Sequence, residues 1–356
     1  MTASTPEPKT PKLWIGVGLI VLLLLSLLVT GYMIWLHPYR RQLKATRRIL
    51  ILGGHVNADP GGPEWLPELL DPEFCEDQFP NVIDVDLKGK KIADRDLKIL
   101  AAFQDLEALS LRGTDITDEG LSHIVELQRL RPLSVGDTGI TDGGITHIKQ
   151  LTGLELLELD NTMITDAGLG HVGSLSRLRV LSLRGTHVTD AGLERLKGLI
   201  NLEILCLDHT STTGAGLEYL SDLTVLSELY LSHTGVSNRA LTRIERFGSL
   251  GTLYLGGTGI TDNALLHLGR HPRLHWLSVR DTAVTDLGLK FLTGARSLRS
   301  LDLRGTNVTD VGLEYVEGAD KLSHLYLKGT KVTREGVRKL RVRRPKLHIF
   351  WPQESP

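Results

Sequence analysis

The chain has 356 residues, of which 41% are hydrophobic and 23% charged, a composition that supports a large buried core and lies far from that of disordered chains. Its formal net charge of -1 conceals an acidic body: residues 49–330 hold 39 acidic and 26 basic side chains, which excludes general nucleic-acid binding because phosphates would be repelled. The two cysteines, Cys75 and Cys206, match no metal-ligand or redox spacing, so neither a disulfide framework nor a zinc site is expected.

Residues 1–12 form an N-terminal tail. From Leu13 to Leu36 run 24 residues without a charge. A hydrocarbon core of ~30 Å needs only ~20 helical residues, so 13–36 is expected to be a single transmembrane helix. Trp14, Tyr32 and Trp35 sit near its ends, at the headgroup level that such rings prefer. The stretch is too long for the apolar region of a cleaved signal, and no Ala-x-Ala-like site precedes His37. Lys9 and Lys12 on one flank, against Arg40, Arg41, Lys44, Arg47 and Arg48 on the other, place the rest of the chain in the cytoplasm by the positive-inside count. Export of the domain behind a single anchor is the competing orientation.

Residues 37–63 read as a juxtamembrane segment and linker, with four Gly and two Pro between 53 and 63. Residues 64–81, where Trp65, Leu66, Leu69, Leu70, Phe74 and Phe79 recur at helical spacing, read as an N-terminal capping helix. Residues 82–345 then repeat every 24 residues, with leucine at Leu106, Leu130, Leu154, Leu178, Leu202, Leu226, Leu250, Leu274, Leu298 and Leu322 after a divergent start at Val82. In the unit that starts at Leu178, Leu181 and Leu183 are two apart, as on one face of a strand. Leu193, Leu196 and Leu199 are three apart, as on a helix, and Thr189 or Asp190 stands where a helix cap belongs. A single unit buries too few apolar side chains to offset the entropy of ordering it, so the eleven units must stack and share their cores. The expected architecture is α/β: a solenoid, or horseshoe, with a parallel concave sheet and helices on the convex side. Residues 346–356 supply a closing strand at Ile349-Phe350-Trp351 and a tail. Threonine at the ninth position of all ten regular units, Thr210 among them, is read as a structural ladder that satisfies backbone groups where each strand turns away.

The unit L-x-x-L-x-L-x-x-T-x-I-T-D-x-G-L resembles the leucine-rich repeats of bacterial proteins of the planctomycete group and, more distantly, those of F-box substrate receptors. Leu52-Gly53-Gly54-His55-Val56 and Trp65-Leu66-Pro67-Glu68-Leu69-Leu70 are similar to segments that precede the first repeat in that bacterial group. The resemblance implies the fold and supplies no catalytic residues. No F-box-like segment precedes the repeats, which leaves a substrate-adaptor role as a distant alternative.

Function is therefore sought on the strand positions that vary. Tyr230 and Tyr254 occupy the fifth position of adjacent units, Trp276 the third position of the next, and Arg280 and Arg304 the seventh position on either side of Asp302. Tyr, Trp and Arg dominate binding hot spots, so Tyr230, Tyr254, Trp276, Arg280, Asp302 and Arg304 are the candidate contact surface for a protein or peptide. A glycan or foreign protein bound by an exported receptor is the alternative. His209 and His233 recur at one position of adjacent units beside Asp208 and are read as solvated rather than metal-binding. No metal, cofactor or enzymatic activity is expected, because no phosphate-loop, nucleophile-elbow or zinc-protease pattern occurs.

Overall fold

The structure, a computed structural model, describes residues 12–60 and 80–351, and in the first helix the side chains from Leu22 onward except Tyr32, Trp35 and Leu36. Thirteen strands form one sheet in strict sequence order. They are β1 His55–Pro60, β2 Pro80–Asp86, β3 Ala108–Ser110, β4 Pro132–Ser134, β5 Leu156–Glu158, β6 Val180–Ser182 and β7 Ile204–Cys206, followed by β8 Glu228–Tyr230, β9 Thr252–Tyr254, β10 Trp276–Ser278, β11 Ser300–Asp302, β12 His324–Tyr326 and β13 His348–Phe350. Among the described residues only the β1–β2 pair is antiparallel. From β2 onward the strands are parallel and in register, each residue facing the one 24 positions further on, as Leu181 faces Leu205. Thirteen strands spaced ~4.8 Å apart make a sheet roughly 58 Å across.

The expected solenoid is present. The leucines of each unit point inward and form one continuous core from Ala45 to Leu347. Each strand from β2 to β12 is followed by a short helix on the convex side, such as Asp166–Val172 and Asp310–Glu317, or by a 3-10 turn such as Ala215–Leu220. Thr165, Thr189, Thr285 and Thr309 are the N-caps, each hydroxyl accepting from the amide two residues on.

The adjoining aspartate joins one coil to the next. Asp166 accepts from both the backbone amide (2.8 Å) and the hydroxyl (2.6 Å) of Thr189, and Asp118, Asp142, Asp262, Asp286 and Asp310 repeat the arrangement. The glycine of each T-D-x-G-L makes room for that carboxylate: a Cβ on Gly192 would collide with Asp166, and one on Gly312 with Asp286. The threonine at the ninth position acts within its own unit instead. Its hydroxyl donates to the carbonyl three residues back, as Thr210 does to Leu207 (2.7 Å), so ten local bonds satisfy backbone groups where each strand turns away, as expected.

The N-terminal end departs furthest from expectation. One helix, α1, runs from Lys12 to Ile51 and carries the 13–36 stretch and the basic flank without interruption, past Pro38. Gln42, Ala45 and Ile49, spaced on one helical face, are buried against the first coil, and the Gln42 side chain accepts from the Val82 amide at 3.0 Å. Arg47 and Arg48 face outward, Arg48 towards Asp96 at 3.3 Å. Residues 37–60, expected to belong to a linker, thus hold the last turns of α1 and strand β1. The capping helix expected over 64–81 falls, through Phe79, outside the described residues, and Pro80 and Asn81 are already strand. Among the described residues no helix is long and apolar enough to cross a membrane, so the transmembrane helix expected at 13–36 lacks support from them; the side chains of residues 13–21 lie outside that description.

Candidate functional site

In each unit, alternation along the strand turns the fourth residue into the core and the third and fifth onto the concave wall. In β3–β7 the fifth position holds Ser110, Ser134, Glu158, Ser182 and Cys206. In β8–β13 it holds Tyr230, Tyr254, Ser278, Asp302, Tyr326 and Phe350.

The structure brings the predicted aromatics together and extends the row. The rings of Tyr230 and Tyr254 stack with centroids 4.7 Å apart and planes within 9°. Trp276 follows at 6.1 Å from Tyr254 and lies 5.9 Å from Tyr326, so its indole bridges the two coils whose fifth residues, Ser278 and Asp302, are short and buried. Tyr326 stacks in turn on Phe350 at 4.5 Å and 6°. At the third position, the rings of His324 and His348 stack at 5.2 Å. Sequence reading left out Tyr326, Phe350, His324 and His348. Their signal was available, since each lies two to four steps of 24 along the columns that contain Tyr254 and Trp276.

The charged residues divide. Asp302, only 2% exposed, grips Arg304 in a two-pronged ion pair (2.9 and 2.6 Å) and accepts from Ser278, while the Arg304 guanidinium lies 5.7 Å from the centre of the Tyr326 ring. The hydrogen bonds that Arg304 donates to Asp302 raise its pKa, so this arginine stays charged. Arg280 stands apart from the patch and pairs with its neighbour Asp281 at 2.7 Å. The Tyr230 hydroxyl donates to Glu228 at 2.6 Å; burial first, and that carboxylate second, push its phenol well above the usual range. The Trp276 indole Nε1 is buried and has no hydrogen-bond partner among the described residues.

The eighth position of the unit holds a second regularity. Asp137, Asn161, His209, His233 and Asp281 all have φ between 51° and 57°, and Gly89, Gly113, Gly185, Gly257, Gly305 and Gly329 fill the same position with positive φ. The turn after each strand demands a left-handed residue, which explains the restriction to Gly, Asn, Asp and His. His209 and His233 therefore share one backbone conformation and stack at 4.4 Å. Among the described residues no group of three His, Cys, Asp or Glu is placed to hold a metal. Cys206, half-buried, has its thiol pushed up to about 11, chiefly by burial, which favours the protonated thiol at neutral pH.

A solenoid of 24-residue coils with an inner parallel sheet and outer short helices is a leucine-rich-repeat structure. Residues 104–125, 176–197 and 294–316 match the family model described as Leucine Rich repeat. No curated protein matches the sequence. Among solved structures, an internalin (inlF) from Listeria monocytogenes is similar over 77% of this chain and 87% of its own, with 21% identity and a TM-score of 0.50. The leucine-rich-repeat ectodomain of the Arabidopsis receptor kinase HAESA, solved in complex with an N-terminally extended IDA peptide hormone ligand, is similar over 78% of this chain at 16% identity and a TM-score of 0.54. A TDR receptor is similar over 76% at 16% identity and a TM-score of 0.52. The match spans under half of these two receptors, 46% and 47%, and at such identities the likeness is one of fold.

Proposed function

We propose that this protein is a non-enzymatic scaffold that binds a peptide or an extended protein segment on the concave wall of β8–β13. The observation that carries this reading is the aromatic row Tyr230, Tyr254, Trp276, Tyr326 and Phe350, continuous across six strands and open to solvent on the inner curve. Buried indole N–H groups normally find an acceptor, and the Trp276 Nε1 has none among the described residues. Glycan recognition is less well supported, because the tyrosines stack on one another and leave few free ring faces for sugars. The HAESA ectodomain, of similar fold, holds a peptide hormone. Asp302 acts here as a positioning residue for Arg304, and Arg280 lies at the rim.

The tether belongs to the same proposal. Leu22, Leu23, Leu24, Leu25, Leu27, Leu28, Val29, Met33 and Ile34 are exposed on every face of α1, and nothing in the described chain covers them. Insertion of this segment would hold the scaffold at a membrane, with its outward arginines favouring the cytoplasmic side.

Selection of displayed peptides against the purified full chain tests the binding reading. Peptides that bind wild type should lose on the order of tenfold or more in affinity on Trp276→Ala, the loss expected of a hot-spot aromatic. Unchanged binding by both Trp276→Ala and Tyr254→Ala would remove the wall as the site.

A further inference from the structure

One edge of the same wall carries cations that the chain leaves unanswered. Along the first half of that edge three arginines are matched by acids from the neighbouring coil, Arg129 with Asp105 at 2.9 Å, Arg131 with Glu155 at 2.5 Å and Arg179 with Glu203 at 2.9 Å, and Arg177 alone forms no ion pair among the described residues. Past Glu203 the position that held Arg179 is filled by Ser227, Gly251, His275, Arg299 and Ser323, and no acid alternates with Arg299. Arg273, Arg299 and Lys321 form no ion pair among the described residues. Together with His275 they line a recess of about 520 Å³ between the ends of β8–β11 and the outer turns.

This recess opens onto the aromatic wall. A second hollow of about 430 Å³, lined by Tyr230, Tyr254, Trp276 and His324, shares Glu228, Thr252, His275 and Arg299 with it. The His275 ring is held at the junction by a hydrogen bond to the Gly251 carbonyl, and Gly251 leaves it space: a Cβ there would meet the imidazole. Glu228, the one acid lining either hollow, is engaged by the Tyr230 hydroxyl. Three permanent cations against one acid, in a body where acids outnumber bases by 39 to 26 over residues 49–330, mark a site for a small number of negative charges. A long polyanion would meet the surrounding acids, whereas two or three carboxylates beside apolar side chains would not.

We infer that the recess formed by Arg273, His275, Arg299 and Lys321 binds the carboxylate side chains of an acidic peptide whose neighbouring apolar residues lie on the wall of Tyr254 and Trp276. The inference rests on the concave-wall reading and adds the chemistry of the ligand. Exposed charges of this kind act on encounter and on selection between ligands, so their contribution is screened by salt.

The test uses the full chain and an array of synthetic peptides that combine aromatic residues with none to four Asp or Glu, each acidic peptide matched by its Asn or Gln counterpart. Wild type should prefer the acidic member of a pair on the order of tenfold at low salt, and Arg299→Glu with Arg273→Glu should erase that preference. Arg195→Glu, a reversal of charge at one position on the convex side, should leave it intact. All three positions are exposed, and unchanged thermal melting would show that the variants are folded. Equal binding of acidic and amide peptides, lost on Trp276→Ala, overturns the recess and leaves the wall reading standing. Binding of no peptide, with a sulfated oligosaccharide held through Arg299 instead, overturns both.

Discussion

In the first half of the sheet Arg112 reaches over two coils to Asp137 and Asp160, both at 2.8 Å, while Ser134 donates to Glu158 and Asn161 to Asp137. In the second half the wall and its edge carry stacked rings, an indole without a hydrogen-bond partner and cations without ion pairs among the described residues. The frame beneath is shared, with the same leucines, the same strand register and the same left-handed turn residue. A polar wall that satisfies itself has little to gain from a ligand, whereas an aromatic wall with unspent donors does. The comparison thus separates what the repeat needs in order to stack from what one half presents for binding.

The change of wall coincides with a break on the opposite side of the coils. The aspartate-to-threonine link between coils is present from Asp94–Thr117 to Asp190–Thr213 and again from Asp262–Thr285 to Asp310–Thr333, with Asn238–Thr261 as an amide version. Between these runs Gly214 stands where the aspartate belongs, and the glycine it would have faced is Ala240. The exchange is reciprocal: a Cβ on Gly214 would collide with that of Ala240. The two halves of the wall therefore meet, between β7 and β8, at the one junction between the coils of β2 and β12 that lacks the side-chain link.

The largest effect tests whether the frame is indeed shared. Leu157→Ala in β5 and Leu277→Ala in β10, both fully buried, should each lose ~2–5 kcal/mol in urea unfolding, and by similar amounts. A loss confined to one of them would show that the halves are stabilised differently and that the wall does more than present side chains.

Next in size is the link between coils. Asp166→Ala removes an acceptor that serves two donors of Thr189 and should lower stability by ~1.5–3 kcal/mol, the range for hydrogen bonds to a charged group. Gly214→Asp should destabilise rather than repair the junction, because the residue has φ of 88° and no space beside Ala240. Adding Ala240→Gly should recover part of that loss, a coupling of at least ~0.5 kcal/mol in a double-mutant cycle. Additive effects would mean that the Gly214 and Ala240 exchange is incidental.

Much of this was legible in the sequence because a repeat states each physical requirement many times over. The 24-residue step dictated strands, helices and stacking, and the variable columns pointed to Tyr230, Tyr254 and Trp276. Contacts between units were harder to read. The role of the T-D-x-G-L aspartate belongs to the threonine 23 residues on, and only coil stacking places the two together. Arg280 and Asp302 were grouped with the aromatics by column, yet a partner one residue away in the first case and burial in the second decide what they do. The N-terminal end escaped because it is not repetitive: α1 looked like an anchor followed by a linker, and nothing local announces that Gln42, Ala45 and Ile49 seal the first coil.

The smallest effect uses acid to tell the halves apart. His271 lies under the second half, 4% exposed, with Nε2 donating to the Phe247 carbonyl at 3.0 Å and Nδ1 accepting from the Arg273 amide at 3.4 Å. Burial lowers its pKa below the ordinary imidazole value; the Phe247 carbonyl and Glu245 oppose that shift without cancelling it. A proton on Nδ1 would also remove the acceptor of the Arg273 amide. The unfolded chain takes up its proton near pH ~6.5, so below that value the unfolded state binds more protons than the folded one and stability falls with pH. Because a solenoid opens locally, hydrogen exchange corrected for its intrinsic pH dependence should quicken in β9–β11 as pH falls from ~7.5 to ~5.5 while β3–β6 stay protected, and His271→Gln should flatten the response. Equal quickening at both ends would assign the acid response to the frame as a whole and not to this buried ring.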